Sequence, residues 1–235
     1  MPEVIFSGPE GRIEGRYHHS EKNNPPIALV LHPHPLYGGT MNNKVVYNTY
    51  HTLVNQGFSV LRINFRGIGR SQGVFDNGIG ELVDAATALD WLELHNPTAS
   101  VVWIAGFSFG AWIALQLLMR RPEIQNFIAI SPPVPKYDFG FLSPCPTSGC
   151  VIQGDQDSIV QEEHVASFVS KISKQKSSNI EYSVIAGADH FFRARLKELN
   201  ETLEQYIVNR LSNVKVAKTK QDRRKKQTQP KDEMF

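Results

Sequence analysis

The strongest constraint on this chain is a turn of five residues, Gly106-Phe107-Ser108-Phe109-Gly110, set between two apolar segments of different character. Val101-Val102-Trp103-Ile104-Ala105 precedes it as a β-branched and aromatic run. Ala111-Trp112-Ile113-Ala114-Leu115-Gln116-Leu117-Leu118 follows it with the look of a helix. A strand that turns sharply into a helix over G-x-S-x-G is the nucleophile-elbow pattern. The turn strains the serine backbone, and a Cβ at either glycine would collide with neighbouring main chain. The serine hydroxyl then projects outward from a sheet edge, with the N–H of Phe109 beside it at a helix N-terminus.

The rest of the chain supplies a sheet for that turn. Residues 3–17 read as an edge hairpin turning near Gly8-Pro9-Glu10-Gly11. Strands are expected at 27–31, 58–63, 127–130, 150–153 and 181–185, and helices at 44–56, 81–95, 159–174 and 193–211. The elbow helix should end at Arg121-Pro122. Short apolar runs alternating with helical patterns argue for an α/β class: a mostly parallel central sheet with helices on both faces. Ser158 with Gln161 fits a capping box, S-x-x-Q, opening the helix after the 150s strand. Asp155 and Asp157 then fall just past a strand's carboxyl end, the edge where open α/β sheets build their sites.

With 235 residues, one domain over 1–214 is expected. Residues 215–235 hold eight Lys or Arg against Asp222, Asp232 and Glu233, a net +5, which leaves −3 for the body from the overall +2. This tail is almost free of apolar residues and reads as disordered and basic. No aromatics interleave with Arg223-Arg224-Lys225-Lys226, so nucleic acid is not an expected partner. No run of about 18 apolar residues is present, so no membrane span is expected. Met1-Pro2-Glu3-Val4-Ile5 lacks the basic start of an export signal, and Cys145 and Cys150 are too few for a disulfide framework. A cytoplasmic protein fits these features.

A serine becomes a useful nucleophile only when a base takes its proton and a third group fixes the base's tautomer. Behind an elbow of this type the order along the chain is Ser, acid, His. Downstream of Ser108 only His164 and His190 remain. His164 falls inside a helix, whereas His190 follows the last strand, so His190 is the expected base. Asp155 and Asp157 both qualify by position as the acid. Asp189, adjacent to His190, is badly placed to reach its Nδ1. A second oxyanion donor should come from His32-Pro33-His34-Pro35-Leu36-Tyr37-Gly38-Gly39. The prolines carry no N–H, so the His34 amide is the first candidate, with Leu36 and Tyr37 as alternatives.

Taken together, these blocks resemble the α/β-hydrolase superfamily, and closely a group of small bacterial members grouped with dienelactone hydrolases and serine aminopeptidases. The resemblance rests on HPHP-x-x-GGTMNN, on R-x-NFR-x-x-GRS-x-G from Arg62 to Gly73, on GFSFGAW, on GD-x-D and on GADHFF. It spans about residues 25–210. It implies the superfamily fold, serine-hydrolase chemistry without a cofactor, and Ser108, Asp157 and His190 at the triad positions. Asp157 is selected because Gly154 to Val160 matches the superfamily's G-x-x-D-x-x-V, which leaves Asp155 as a turn-former.

Only about twenty residues, rich in proline and aromatics, separate Ile130 from Cys150, too few for a large cap domain. An open site flanked by Tyr37, Phe107, Phe109 and Tyr137 or Phe139 is expected, suited to small substrates. His32-x-His34 also has the form of a metal-binding H-x-H, but that reading needs further ligands and loss of the elbow, so no metal is assigned. Arg66-Gly67-Ile68-Gly69-Arg70-Ser71 lacks a phosphate-loop signature and reads as a structural turn. Cys145 between two prolines reads as packing. The expected function is hydrolysis of small carboxylic esters, or amides, through an acyl-enzyme. The alternatives are a catalytically silent binding protein of the same fold and a peptidase of the serine aminopeptidase type. Exposed loop aromatics leave room for a homodimer.

Overall fold

The computed structural model describes residues 2–174 and 179–227, with side chains followed to Ser212. Eight strands form one sheet: β1 (Glu3–Gly8), β2 (Gly11–His18), β3 (Ile27–Leu31), β4 (Ser59–Ile63), β5 (Val102–Phe107), β6 (Ile124–Ile130), β7 (Ser148–Gly154) and β8 (Ile180–Ile185). Their order across the sheet is β1-β2-β4-β3-β5-β6-β7-β8. The β1–β2 and β2–β4 pairings are antiparallel and all others are parallel. Five helices connect them: α1 (Lys44–Asn55), α2 (Ile79–Leu94), α3 (Phe109–Leu118), α4 (Glu162–Ile172) and α5 (Leu196–Gln227).

Period-2 alternation in the central strands splits the core in two. Ile27, Leu29, Leu31, Val102 and Ile104 face α2, α3 and α4, and pack with Leu89, Ile113, Leu117 and Phe168. Ala28, Val30, Trp103, Ala105 and Phe107 face α1 and α5, and pack with Val46, Leu53, Leu203 and Ile207. Each fully buried Leu, Ile or Val contributes about 1.5–3 kcal/mol over its exposed state. Two continuous apolar layers therefore hold the middle strands rigidly. Because β3 to β8 run parallel, the turns that leave β3, β5, β7 and β8 all emerge at one edge.

Two boundaries differ from the sequence expectation. The helix after β7 begins with Gln161 as its N-cap, and no side chain caps it, so the Ser158–Gln161 capping box does not form. The Asp157 carboxylate takes the N–H groups of Ile159 and Val160 instead, and that bonding holds the chain in a turn through Ser158. The last helix starts at Leu196 and continues to Gln227, past the expected end at Leu211. Lys, Ala, Gln and Arg favour helix, and no Gly or Pro interrupts before Pro230. Of the tail expected to be disordered, residues 228–235 lie outside the described residues. Among the described residues, no helix is long and apolar enough to cross a membrane.

Candidate active site

Ser108 sits where β5 turns into α3, with φ 53° and ψ −120°. This positive φ is costly for a residue with a side chain, on the order of 1–3 kcal/mol, and persists only where its surroundings impose it. Two glycines allow the turn. A Cβ on Gly106 would lie 2.2 Å from the Gly110 carbonyl oxygen, and one on Gly110 would lie 2.5 Å from the carbonyl oxygens of Leu31 and His32. Any side chain at either position would drive backbone apart. The Ser108 N–H donates to the Ile130 carbonyl at 2.8 Å, which ties the turn to the end of β6.

The turns after β7 and β8 bring the other two residues to this point. His190 Nε2 lies 3.1 Å from Ser108 Oγ, and His190 Nδ1 lies 2.7 Å from Asp157 Oδ2. The carboxylate can only accept, so the network assigns the proton to Nδ1 and leaves the Nε2 lone pair facing the serine hydroxyl. His190 and Asp157 are 4% and 5% exposed. Burial alone would raise the Asp157 carboxyl pKa. The hydrogen bond and charge of His190, with the Val160 and Ile159 N–H groups, outweigh burial and hold the carboxyl below its ordinary value.

Gln153, the penultimate residue of β7, completes the acid's surroundings. Its Nε2 donates to Asp157 Oδ2 at 2.9 Å and to the Val160 carbonyl at 2.8 Å. Asp157 therefore accepts four hydrogen bonds, two on each oxygen. Sequence reasoning missed Gln153. Its one available signal was a polar residue ending an otherwise apolar buried strand. Asp155 instead accepts from the Gly187 N–H at 2.6 Å, which joins the turns after β7 and β8. Asp189 caps its own turn through the Arg193 N–H and pairs with the Arg193 guanidinium. His164 is exposed on α4.

The loop after β3 forms the opposite wall, with a single 3-10 turn at Pro35–Tyr37. Inside it, the Leu36 N–H donates to His34 Nδ1 at 3.2 Å and the Tyr37 N–H donates to the His34 carbonyl at 3.1 Å. The His34 N–H has no acceptor among the described residues. The Phe109 N–H begins α3 and so has no intrahelical acceptor. The His34 ring packs on Phe109, Tyr37 and Phe75 with centroids 5.0, 4.6 and 4.9 Å away. Burial, and then the charge of Lys136, lowers its pKa.

His32 serves a different purpose from the one its H-x-H spacing suggests. It is fully buried, and burial pushes its pKa down to about 4, with the Pro33 carbonyl bond a partial offset. Nδ1 donates to the Pro33 carbonyl at 2.6 Å, and Nε2 accepts the Phe65 N–H at 3.0 Å. Both ring nitrogens are thus engaged with backbone, and His32 fastens the β3 loop to the end of β4. Arg66 is likewise structural, with a buried two-pronged ion pair to Asp84. Cys145 is a core residue.

The serine and histidine open into a cavity of about 520 Å³ lined by the His34–Gly39 loop, Phe109, Tyr137, Lys136, Ile159 and Phe191, among others. Tyr37 and Tyr137 line it as expected. Phe107 does not: it is 1% exposed and lies behind the imidazole, with its ring 5.2 Å from that of His190. Strand alternation explains this, because Phe107 shares a face with Trp103 and Ala105. Phe139 is also buried away from the cavity, against Phe168. Lys136, Ile159 and Phe191 went unnoticed in the sequence because loop conformation alone brings them to the mouth. Segment 131–147 contributes one short 3-10 turn, Gly140–Leu142, and no cap.

Fold and site together define a lidless α/β serine hydrolase. Residues 18–158 match the family model described as X-Pro dipeptidyl-peptidase (S15 family), and the chain belongs to that family within the α/β hydrolases. A Rickettsia prowazekii (strain Madrid E) protein is 59% identical over 217 residues, 91% of each chain. The solved structure of an Agrobacterium tumefaciens protein, described as of unknown function and of α/β-hydrolase type, is 52% identical with a TM-score of 0.88. The match covers 90% of this chain and 97% of that one. A Xanthomonas campestris protein, described as an α/β serine hydrolase without lid, is 32% identical with a TM-score of 0.81, covering 88% and 94%.

Proposed function

We propose that this protein hydrolyses small carboxylic esters through an acyl-enzyme on Ser108. The reading is carried by one observation, the continuous line from Ser108 Oγ to His190 Nε2 and from His190 Nδ1 to the saturated Asp157 carboxylate. In this mechanism the Ser108 oxygen attacks the ester carbonyl while His190 takes its proton and passes it to the departing alkoxide. Asp157 holds the imidazole in the reactive tautomer and stabilises the imidazolium. The N–H groups of Phe109 and His34 donate hydrogen bonds to the carbonyl oxygen as charge develops on it. Water, activated by His190, then releases the acid and restores Ser108.

The family description raises a second reading, removal of N-terminal residues from peptides. In such a peptidase a carboxylate is the strongest partner for the substrate's ammonium. Among the described residues lining the cavity, none is Asp or Glu, which favours the ester reading. A panel of short-acyl p-nitrophenyl esters against aminoacyl and dipeptidyl p-nitroanilides separates the two. Turnover of esters with little of the anilides is the expected result, and efficient anilide cleavage would replace the proposal with the peptidase reading.

A further inference from the structure

Among the described residues that line the cavity, Lys136 is the one Lys, Arg, Asp or Glu. The other titratable groups there are His34, His190 and the tyrosines. Lys136 is exposed, and no carboxylate among the described residues lies within ion-pair distance of its ammonium.

The backbone that carries it is well fixed. The Lys136 and Tyr137 N–H groups both donate to the Pro133 carbonyl, at 2.9 and 3.2 Å, and Pro132 and Pro133 are buried. The Tyr137 ring stacks on Trp112 with centroids 4.2 Å apart, and Trp112 Nε1 donates to the Asp138 carbonyl at 3.1 Å. The turn is thereby bound to α3, the same helix whose N-terminus carries Phe109. An exposed lysine carried on a fixed turn beside a cavity with no lining Asp or Glu attracts anions, and binding there breaks no ion pair among the described residues.

We propose that the preferred substrates are esters that carry a second, unreacted carboxylate, which Lys136 receives at the cavity mouth. This deepens the ester-hydrolase reading and rests on it. The aromatic walls of His34, Tyr37 and Tyr137 would take the apolar spacer between the scissile carbonyl and that anion. The lack of a lining Asp or Glu acts in the same direction, because no carboxylate meets the substrate's anion at the cavity wall. An exposed ion pair is worth up to about 1 kcal/mol, or about fivefold in kcat/KM. It should weaken as salt shortens the screening length from about 10 Å at 0.1 M to about 3 Å at 1 M.

The test uses two matched pairs, because the anion can sit on either side of the ester. 4-Nitrophenyl hydrogen adipate against 4-nitrophenyl hexanoate places it on the acyl side, and 4-acetoxybenzoate against phenyl acetate places it on the leaving group. In at least one pair the wild-type ratio of kcat/KM, anionic over neutral, should fall about fivefold in Lys136→Gln and further in Lys136→Glu. The wild-type preference should also shrink in high salt. Ratios unchanged by both substitutions in both pairs would overturn the proposal, as would an anionic preference insensitive to salt. Turnover of the neutral esters by wild type, lost in Ser108→Ala, reports separately on the ester-hydrolase reading. That reading can therefore survive when the role of Lys136 does not.

Discussion

The floor and the mouth of this cavity are built by different means. On the floor, His190 and Asp157 are almost fully buried, and every polar atom of the Asp157 carboxylate is paired. At the mouth, Tyr37 is 84% exposed and Lys136 stands in solvent. The floor residues hang from the ends of β5, β7 and β8, so sheet register sets their separations. The mouth residues sit on loops, where a substitution disturbs little of the core. The candidate catalytic residues are thus tied to the fold, whereas the mouth carries surface groups that can change without it.

The largest expected effects fall on the floor. Ser108→Ala and His190→Ala should each lower kcat on an activated ester by about 10⁴-fold or more while thermal unfolding is little changed. Asp157→Asn should cost about 10³- to 10⁴-fold, because an amide can present N–H to Nδ1 and select the wrong tautomer. A loss spread evenly between kcat/KM and stability would instead mark Asp157 as a folding residue.

His32 tests whether the loop wall shares the rigidity of the floor. Its pKa is about 4 in the folded protein against 6.5 unfolded. Between these values the unfolded chain binds the extra proton and the folded one does not. Stability is therefore lost as pH falls through this window, at about 1.4 kcal/mol per pH unit and about 3 kcal/mol in all. Asp157, held below its ordinary pKa, adds a further loss as pH falls through its folded value. Denaturant unfolding from pH 7.5 to 4.5 should show the slope in wild type and a flatter line in His32→Gln. Equal slopes would remove His32 from the account.

Gln153→Met should have a smaller effect. One of four hydrogen bonds to the Asp157 carboxylate is lost, so kcat should fall about tenfold with KM little changed. With one donor fewer, the Asp157 carboxylate presents more of its charge to His190, so the acid limb of the pH profile should move upward. An unaltered profile would make Gln153 a strand residue only. Lys136 at the mouth is expected to show the smallest effect, about fivefold and confined to charged substrates.

The same division governs what could be read from the sequence. Gly106, Ser108 and Gly110 were legible because the turn's geometry admits so few residues, and β-branched runs announced each strand. Chain order pointed to His190, and position left Asp155 and Asp157 both open until the resemblance to the superfamily's G-x-x-D-x-x-V singled out Asp157. Gln153 and His32 act through partners that only strand pairing and loop closure bring within reach. Phe107 was open to better reading, since period-2 alternation along β5 already puts it on the inner face with Trp103 and Ala105. The capping box at Ser158 failed because a stronger acceptor, the Asp157 carboxylate, took the nearby N–H groups first.

The central claim is that Ser108 is an activated nucleophile, and labelling with a fluorophosphonate probe tests it most directly. Wild type should be labelled covalently at Ser108, with labelling abolished in Ser108→Ala and strongly slowed in His190→Ala. Equal labelling of wild type and Ser108→Ala, or no labelling of a wild type that is folded, would contradict the account.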